Sequence, residues 1–124
     1  MHDTPLVLVI EDDFDNQYVV KYFLEQSGFK VVTANNGKIG IDMCEVEMPD
    51  IILLDIMMPV MDGYQTVSYI RQNDRLKNIP VLCLTANAQS TEREKCLSYG
   101  CDEYIEKPLD LISLLDTINK FLNR

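Results

Sequence analysis

Acidic, hydroxyl and ammonium side chains stand in this chain where apolar runs stop. "PLVLVI" is followed by Glu11, Asp12 and Asp13, "DIILL" by Asp55, "IPVLCL" by Thr85, and "EYIE" by Lys107 and Pro108. An ionised carboxylate is costly to bury without a partner, so an acid that closes a buried run is paired, metal-bound or reactive. Several carboxylates packed together raise one another's pKa unless they share a cation, and hard oxygen donors with room for water suit Mg2+. A carboxylate beside Mg2+ and an ammonium is a competent nucleophile toward phosphorus. Metal and Lys107 would offset charge on the phosphoryl oxygens, and Thr85 could hydrogen-bond one of them. Taken alone, the three acids at 11–13 also suit the first turn of a helix, where they complement the macrodipole. Helix capping does not explain Asp55.

For these groups to meet, the runs before them must lie side by side. Short runs rich in Val, Ile and Leu recur at "PLVLVI", "KVVTA", "DIILLD", "IPVLCLT" and "EYIEK", each of strand length. Helical spacing fills the gaps. In "FDNQYVVKYFLEQSGF" the residues Val19, Val20, Phe23 and Leu24 share a face opposite Lys21 and Glu25, and Gly28 supplies the stop. Leu111, Leu114, Leu115, Ile118 and Leu122 repeat the pattern after Asp110, a good N-cap. Weaker helices fit Lys38 to Glu47, Gly63 to Asn73 and Gln89 to Tyr99, with Gly40 a local liability. Five β-α pairs with continuously apolar strands call for a parallel sheet with right-handed crossovers. The expected fold is α/β, a flavodoxin-like, doubly wound five-stranded sheet of order 2-1-3-4-5 with five helices. Such a sheet binds ligands at the carboxyl ends of its strands, where the groups above would converge.

The 124 residues suffice for one core, and the reading is a single domain over residues 1–124 with no output domain. At 47% hydrophobic and 25% charged, the chain is expected to pack as an ordinary globular protein. Its net charge of -9, with Lys and Arg scattered, argues against direct DNA binding, which needs a positive face. No apolar stretch approaches the length of a bilayer span, and the acidic N-terminus is unlike a signal peptide, so a cytoplasmic protein with no membrane association is expected. Cys44, Cys83, Cys96 and Cys101 contain no CxxC pair and read as reduced core thiols. His2, the one histidine, lies in a terminus expected to fray, which leaves none for catalysis or phosphorelay within the chain.

Together, "VIEDD", "LLDIMMPVMDG", "CLTAN" and "YIEKPL" resemble the receiver domain of bacterial two-component response regulators, over essentially the whole chain. The resemblance implies that Asp55 is the phospho-acceptor and Asp12 a direct metal ligand. Glu11 would hold the ion through water, and the backbone carbonyl of Met57 would add another ligand. The ion implied is Mg2+, with Mn2+ as a possible substitute. Thr85, Lys107 and the Ala86 N–H would grip the phosphoryl group, and the Lys107–Pro108 peptide would be cis. Asp13 matches a variable position, where an N-cap is favoured over a ligand. The implied reaction is self-catalysed, Mg-dependent transfer to Asp55 from the phosphohistidine of a sensor histidine kinase or histidine phosphotransfer protein, or from a small acyl phosphate, followed by slow autodephosphorylation. Thr85 and then Tyr104, at the family's switch-aromatic position, would move inward. The face of the fourth helix, fifth strand and fifth helix would present the result to a downstream protein. Tyr104 equally fits a plain strand aromatic.

Two positions where the family varies are Met57 and Asn87. Met57 cannot orient a hydrolytic water, so catalysed phosphate loss is expected to be modest unless Asn87 assists. Met58 and Met61 read as loop and core packing, and Tyr18 and Tyr22 as an outer helix face suited to a kinase or phosphotransfer helix. A haloacid-dehalogenase-type phosphatase would need a second acid two residues after Asp55, where Met57 stands. An FMN carrier would need a hydroxyl-rich phosphate loop where three acids lie. A degenerate scaffold would not need the full set. A stand-alone regulator is favoured over a receiver excised from a hybrid kinase or longer regulator.

Overall fold

Each apolar run forms a strand, and each interval between runs holds a helix. In chain order these are β1 (Leu6–Ile10), α1 (Phe14–Gln26), β2 (Lys30–Ala34), α2 (Gly37–Glu47), β3 (Ile51–Asp55), α3 (Gly63–Gln72), β4 (Val81–Thr85), α4 (Ser90–Ser98), β5 (Glu103–Glu106) and α5 (Leu111–Phe121). The structure, a computed structural model, describes residues 3–58, 61–86 and 90–123. His2, Asn87 and Gln89, singled out above, lie outside the described residues. The five strands are parallel in the order β2-β1-β3-β4-β5, as the alternating pattern predicts. The three central strands are buried at every residue, while β2 and β5, at the edges, are partly exposed.

Alternation along the strands divides the core between the two faces. Leu8, Ile10, Ile52, Leu54, Val81 and Cys83 pack with Cys44 of α2, Val67 and Ile70 of α3 and Cys96 of α4. Val7, Val9, Ile51, Leu53, Leu82 and Leu84 pack with Val20 and Leu24 of α1 and Leu114 and Ile118 of α5. Burying a side chain of this size contributes about 1.5–3 kcal/mol, so the helices are held mainly by what they place in these layers. By that measure α4 is weakly held, because Cys96 is its only buried member among the described side chains.

Side-chain caps set the helix starts. Asp13 accepts from the Asn16 N–H (3.1 Å), and Asp110 accepts from the N–H groups of Ile112 and Ser113. Asp62 and Gln65 form a reciprocal capping box at α3. Gly40, expected to weaken α2, instead permits contact, since a Cβ there would stand 2.4 Å from Ile10 Cδ1.

The structure corrects two expectations. Val19 is 54% exposed, whereas Gln17 is buried in α1. The Gln17 amide donates to the carbonyls of Glu11 (3.1 Å) and Ala34 (3.4 Å), so a polar side chain fills a core position by satisfying strand-end backbone. The cysteines are not all thiols either: Cys83 and Cys101 form a disulfide, while Cys44 and Cys96 are free and buried. The pairing runs between β4 and the turn entering β5, a proximity created by the sheet and invisible in linear spacing. Among the described residues, no helix is long and apolar enough to cross a membrane.

Candidate functional site

The carboxyl ends of the strands bring the chemical groups together. Glu11 and Asp12 follow β1, Asp55 closes β3, Thr85 closes β4 and Lys107 follows β5. One carboxylate oxygen from each of Glu11, Asp12 and Asp55 lies within 4.8 Å of the others. Lys107 Nζ stands 3.3 Å from Asp55 Oδ2 and 3.2 Å from Glu11 Oε1. Asp55 and Glu11 are buried, and Asp12 is exposed at the rim. Asp13 stands apart as the α1 cap.

Backbone geometry fixes Asp55. Its Oδ1 accepts from the Met57 N–H at 3.1 Å, and the Met57 side chain is 72% exposed. Gly63 lets α3 begin against the end of β3, because a Cβ there would meet Ile56 Cα at 2.6 Å and the Asp55 carbonyl oxygen at 3.0 Å. Thr85 is buried one residue past Leu84, the register partner of Asp55, and its carbonyl accepts from the Lys107 N–H at 2.7 Å. That bond anchors the segment carrying Lys107, whose peptide to Pro108 is cis. Ala86 follows on the exposed lip. Tyr104 lies on β5 opposite Cys83, with its ring against the inner core and its Oη buried without a hydrogen-bond partner among the described residues.

The electrostatics favour a cation. Burial, reinforced by the neighbouring Asp55, pushes the Glu11 carboxyl up to about 7, although Lys107 pulls it down. Burial alone would lower the Lys107 pKa, but the Asp55 and Glu11 carboxylates outweigh it and hold the ammonium above its ordinary value. One ammonium thus faces two buried carboxylates, and Glu11 Oε2 is buried with no hydrogen-bond partner among the described residues. An orphaned carboxylate oxygen beside two other oxygen donors fits a small hard divalent ion.

Glu11, Asp12, Asp55, Thr85, Ala86 and Lys107 lie at the strand ends that the sequence reading expected, while Asn87 lies outside the described residues. Gln17 was missed, and so was the Met57 N–H contact to Asp55. A glutamine four residues after a helix cap is an ordinary helix residue in sequence, and a backbone donor carries no residue signature.

These three acids, the hydroxyl and the ammonium lie at the carboxyl edge of a doubly wound α/β sheet, where sheets of this class bind their ligands. The family model for the response regulator receiver domain matches residues 7–119, and the chain belongs to that family. It is similar to the polar-differentiation response regulator DivK of Brucella anthropi, 31% identical over 116 residues that cover 94% of each chain. Among solved structures it resembles the chemotaxis response regulator CheY4 of Vibrio cholerae (TM-score 0.90, 26% identity, 95% of this chain and 98% of that one). It also resembles the receiver domain of a sensor histidine kinase from Pseudomonas aeruginosa (TM-score 0.90, 30% identity, 98% and 99% of the two chains). That structure has a magnesium ion coordinated in its active site cleft. The present chain is accordingly a response regulator receiver of two-component phosphorelay signalling.

Proposed function

We propose that Asp55 is the phospho-acceptor and that the surrounding groups catalyse its own modification. The observation that carries this reading is the Lys107 Nζ 3.3 Å from Asp55 Oδ2, within a cluster of three carboxylates. An Asp55 oxygen attacks the phosphorus of a phosphohistidine on a histidine kinase or phosphotransfer protein, or of a small acyl phosphate. The new O–P bond forms as the bond to the donor breaks, and the donor leaves with the electron pair. Lys107, the Thr85 hydroxyl and the Ala86 N–H take up charge on the phosphoryl oxygens. Glu11, Asp12, Asp55 and the Met57 carbonyl would hold Mg2+, or Mn2+ in its place. When bound, the ion supplies further charge neutralisation and a template for the phosphoryl group.

The output is a two-state surface. Once Asp55 is modified, Thr85 moves toward the phosphoryl group and Tyr104 follows, changing the face of α4, β5 and α5 for a downstream protein partner. The weak anchoring of α4 suits that role, because elements that move come from the low-stability end of a fold. Partners are proteins, in a cytoplasmic setting without direct DNA or membrane binding. The likeness to DivK favours a free-standing regulator. The likeness to a histidine kinase receiver favours the second reading, a receiver excised from a hybrid kinase or longer regulator. Sequencing the gene on both sides of this segment separates the two.

Intact mass after treatment with acetyl phosphate and Mg2+ tests the proposal. One phosphoryl adduct is expected on the parent, and none on Asp55→Asn or with metal chelated. No adduct on the parent, under conditions that label another receiver, would leave only a scaffold role.

A further inference from the structure

The Cys83–Cys101 disulfide lies beside Thr85 and Tyr104, the residues proposed above to move. Cys83 is in register with Tyr104 and two residues before Thr85; Cys101 lies in the turn entering β5. Both cysteines belong to the buried cluster that holds Cys96, so as thiols they would pack as small apolar side chains. Their Cα atoms are 6.2 Å apart, a spacing that accepts a disulfide without backbone movement. β4 and β5 are also paired through their backbones, from Leu82 with Glu103 to Thr85 with Glu106.

The bond would change the freedom of the segment it closes. Residues 84–100 lie between the two cysteines, and they include Thr85 and the whole of α4. Closing a loop removes conformations from it. Among the described residues, α4 is also held by the buried Cys96 and by contacts of Tyr64 of α3: a hydrogen bond to Glu92, Lys95 Nζ 4.5 Å from the ring centre, and, just past the helix, Tyr99 with ring centres 4.9 Å apart. Contacts of that kind can re-form elsewhere, whereas a covalent bond cannot.

We infer that Cys83–Cys101 is a redox site, a reversible disulfide that restrains the β4–α4–β5 segment when formed and releases it when reduced. Non-structural disulfides in reducing compartments are usually transient and sensing, which suits the proposed cytoplasmic setting. Reduction by a dithiol adds two electrons and two protons. A thiolate of the reductant attacks Cys101 Sγ, the more exposed partner, and the S–S bond breaks with its electron pair on Cys83 Sγ, which is then protonated. The second thiol of the reductant resolves the mixed disulfide and frees Cys101. Oxidation by hydrogen peroxide converts one thiol to a sulfenic acid and one water, and the other thiol displaces a second water to form the disulfide.

The effect on signalling rests on the proposed roles of Asp55 and Tyr104; the bond itself does not. The full chain is treated with hydrogen peroxide or dithiothreitol while folded, alkylated, and mapped by mass spectrometry. Binding of beryllium trifluoride with Mg2+, a phosphoryl mimic, is then measured by calorimetry on both forms. Peroxide is expected to give a Cys83–Cys101 peptide with Cys44 and Cys96 alkylated, and dithiothreitol to reverse it. The oxidised form should bind the mimic at least about fivefold more weakly, a usual lower bound for coupled sites. Cys101→Ser should match the reduced form under both treatments. Failure of the bond to form, its resistance to dithiothreitol in the folded protein, or affinities within about twofold would overturn the inference. If neither form binds the mimic, the phosphoryl-site reading fails, and the mass map alone decides for or against the redox pair.

Discussion

Lys107 Nζ stands 3.3 Å from Asp55 Oδ2 and 3.2 Å from Glu11 Oε1, so one ammonium joins the ends of β1, β3 and β5. It keeps two buried carboxylates tolerable to each other and, in the reaction proposed for Asp55, stands where phosphoryl charge would develop. Lys107→Met is expected to slow phosphorylation by acetyl phosphate by about 10²-fold, the usual cost of one oxyanion-stabilising donor. A rate within about threefold of the parent would remove Lys107 from the chemistry.

Glu11 gives a pH signature in the metal-free protein. Its carboxyl rises from 4.5 to about 7 on folding, so between those values the folded chain binds more protons than the unfolded one. The stability this group contributes is present below 4.5 and is lost as pH rises toward about 7. Glu11→Gln cannot ionise, so its stability relative to the parent should increase across that window and level off above it. Urea unfolding at about pH 5 and about pH 8, with metal chelated, measures the difference. A difference independent of pH would show that Glu11 ionises normally. Saturating Mg2+ should favour the parent at the higher pH, because the variant loses a ligand.

Gly63→Ala should cost about 1–3 kcal/mol, the range for forcing extra volume into a packed region. The added Cβ would meet Ile56 Cα at 2.6 Å, and backbone cannot step aside as a side-chain tip can. Phosphorylation should slow as well, because the displaced turn carries Asp55 and the Met57 N–H that holds it. Unchanged unfolding and phosphorylation would place the α3 start farther from β3 than the structure has it.

Met57→Asn tests the access of water. The Met57 side chain is 72% exposed two residues from Asp55, the proposed acceptor, and offers no group to orient a nucleophile. An amide there should shorten the lifetime of the phosphoryl group severalfold, followed by loss of the mass adduct after the donor is removed. An unchanged lifetime would sink the idea that Met57 limits hydrolysis.

What could be read in the sequence followed from short-range rules. Continuous apolar runs marked the strands, Asp13 and Asp110 marked helix starts, and the strand order placed Glu11, Asp12, Asp55, Thr85 and Lys107 at one edge. What could not be read came from contacts made only by the folded sheet. Cys83 meets Cys101 because β4 and β5 are neighbours, and Gln17 is buried because two strand ends offer it carbonyls. The expectation for Val19 failed for a related reason: helical spacing locates an apolar stripe, but Gln17 takes the buried position and Val19 lies outside.

The central claim is that Asp55, rather than its acidic neighbours, takes the phosphoryl group. Borohydride reduces an aspartyl phosphate to homoserine, which peptide sequencing by mass spectrometry can locate. After acetyl phosphate, Mg2+ and borohydride, homoserine is expected at position 55 and aspartate and glutamate unchanged at positions 12 and 11. Homoserine at position 12, or no reduction at position 55 in a chain that carries a phosphoryl adduct, would contradict the account.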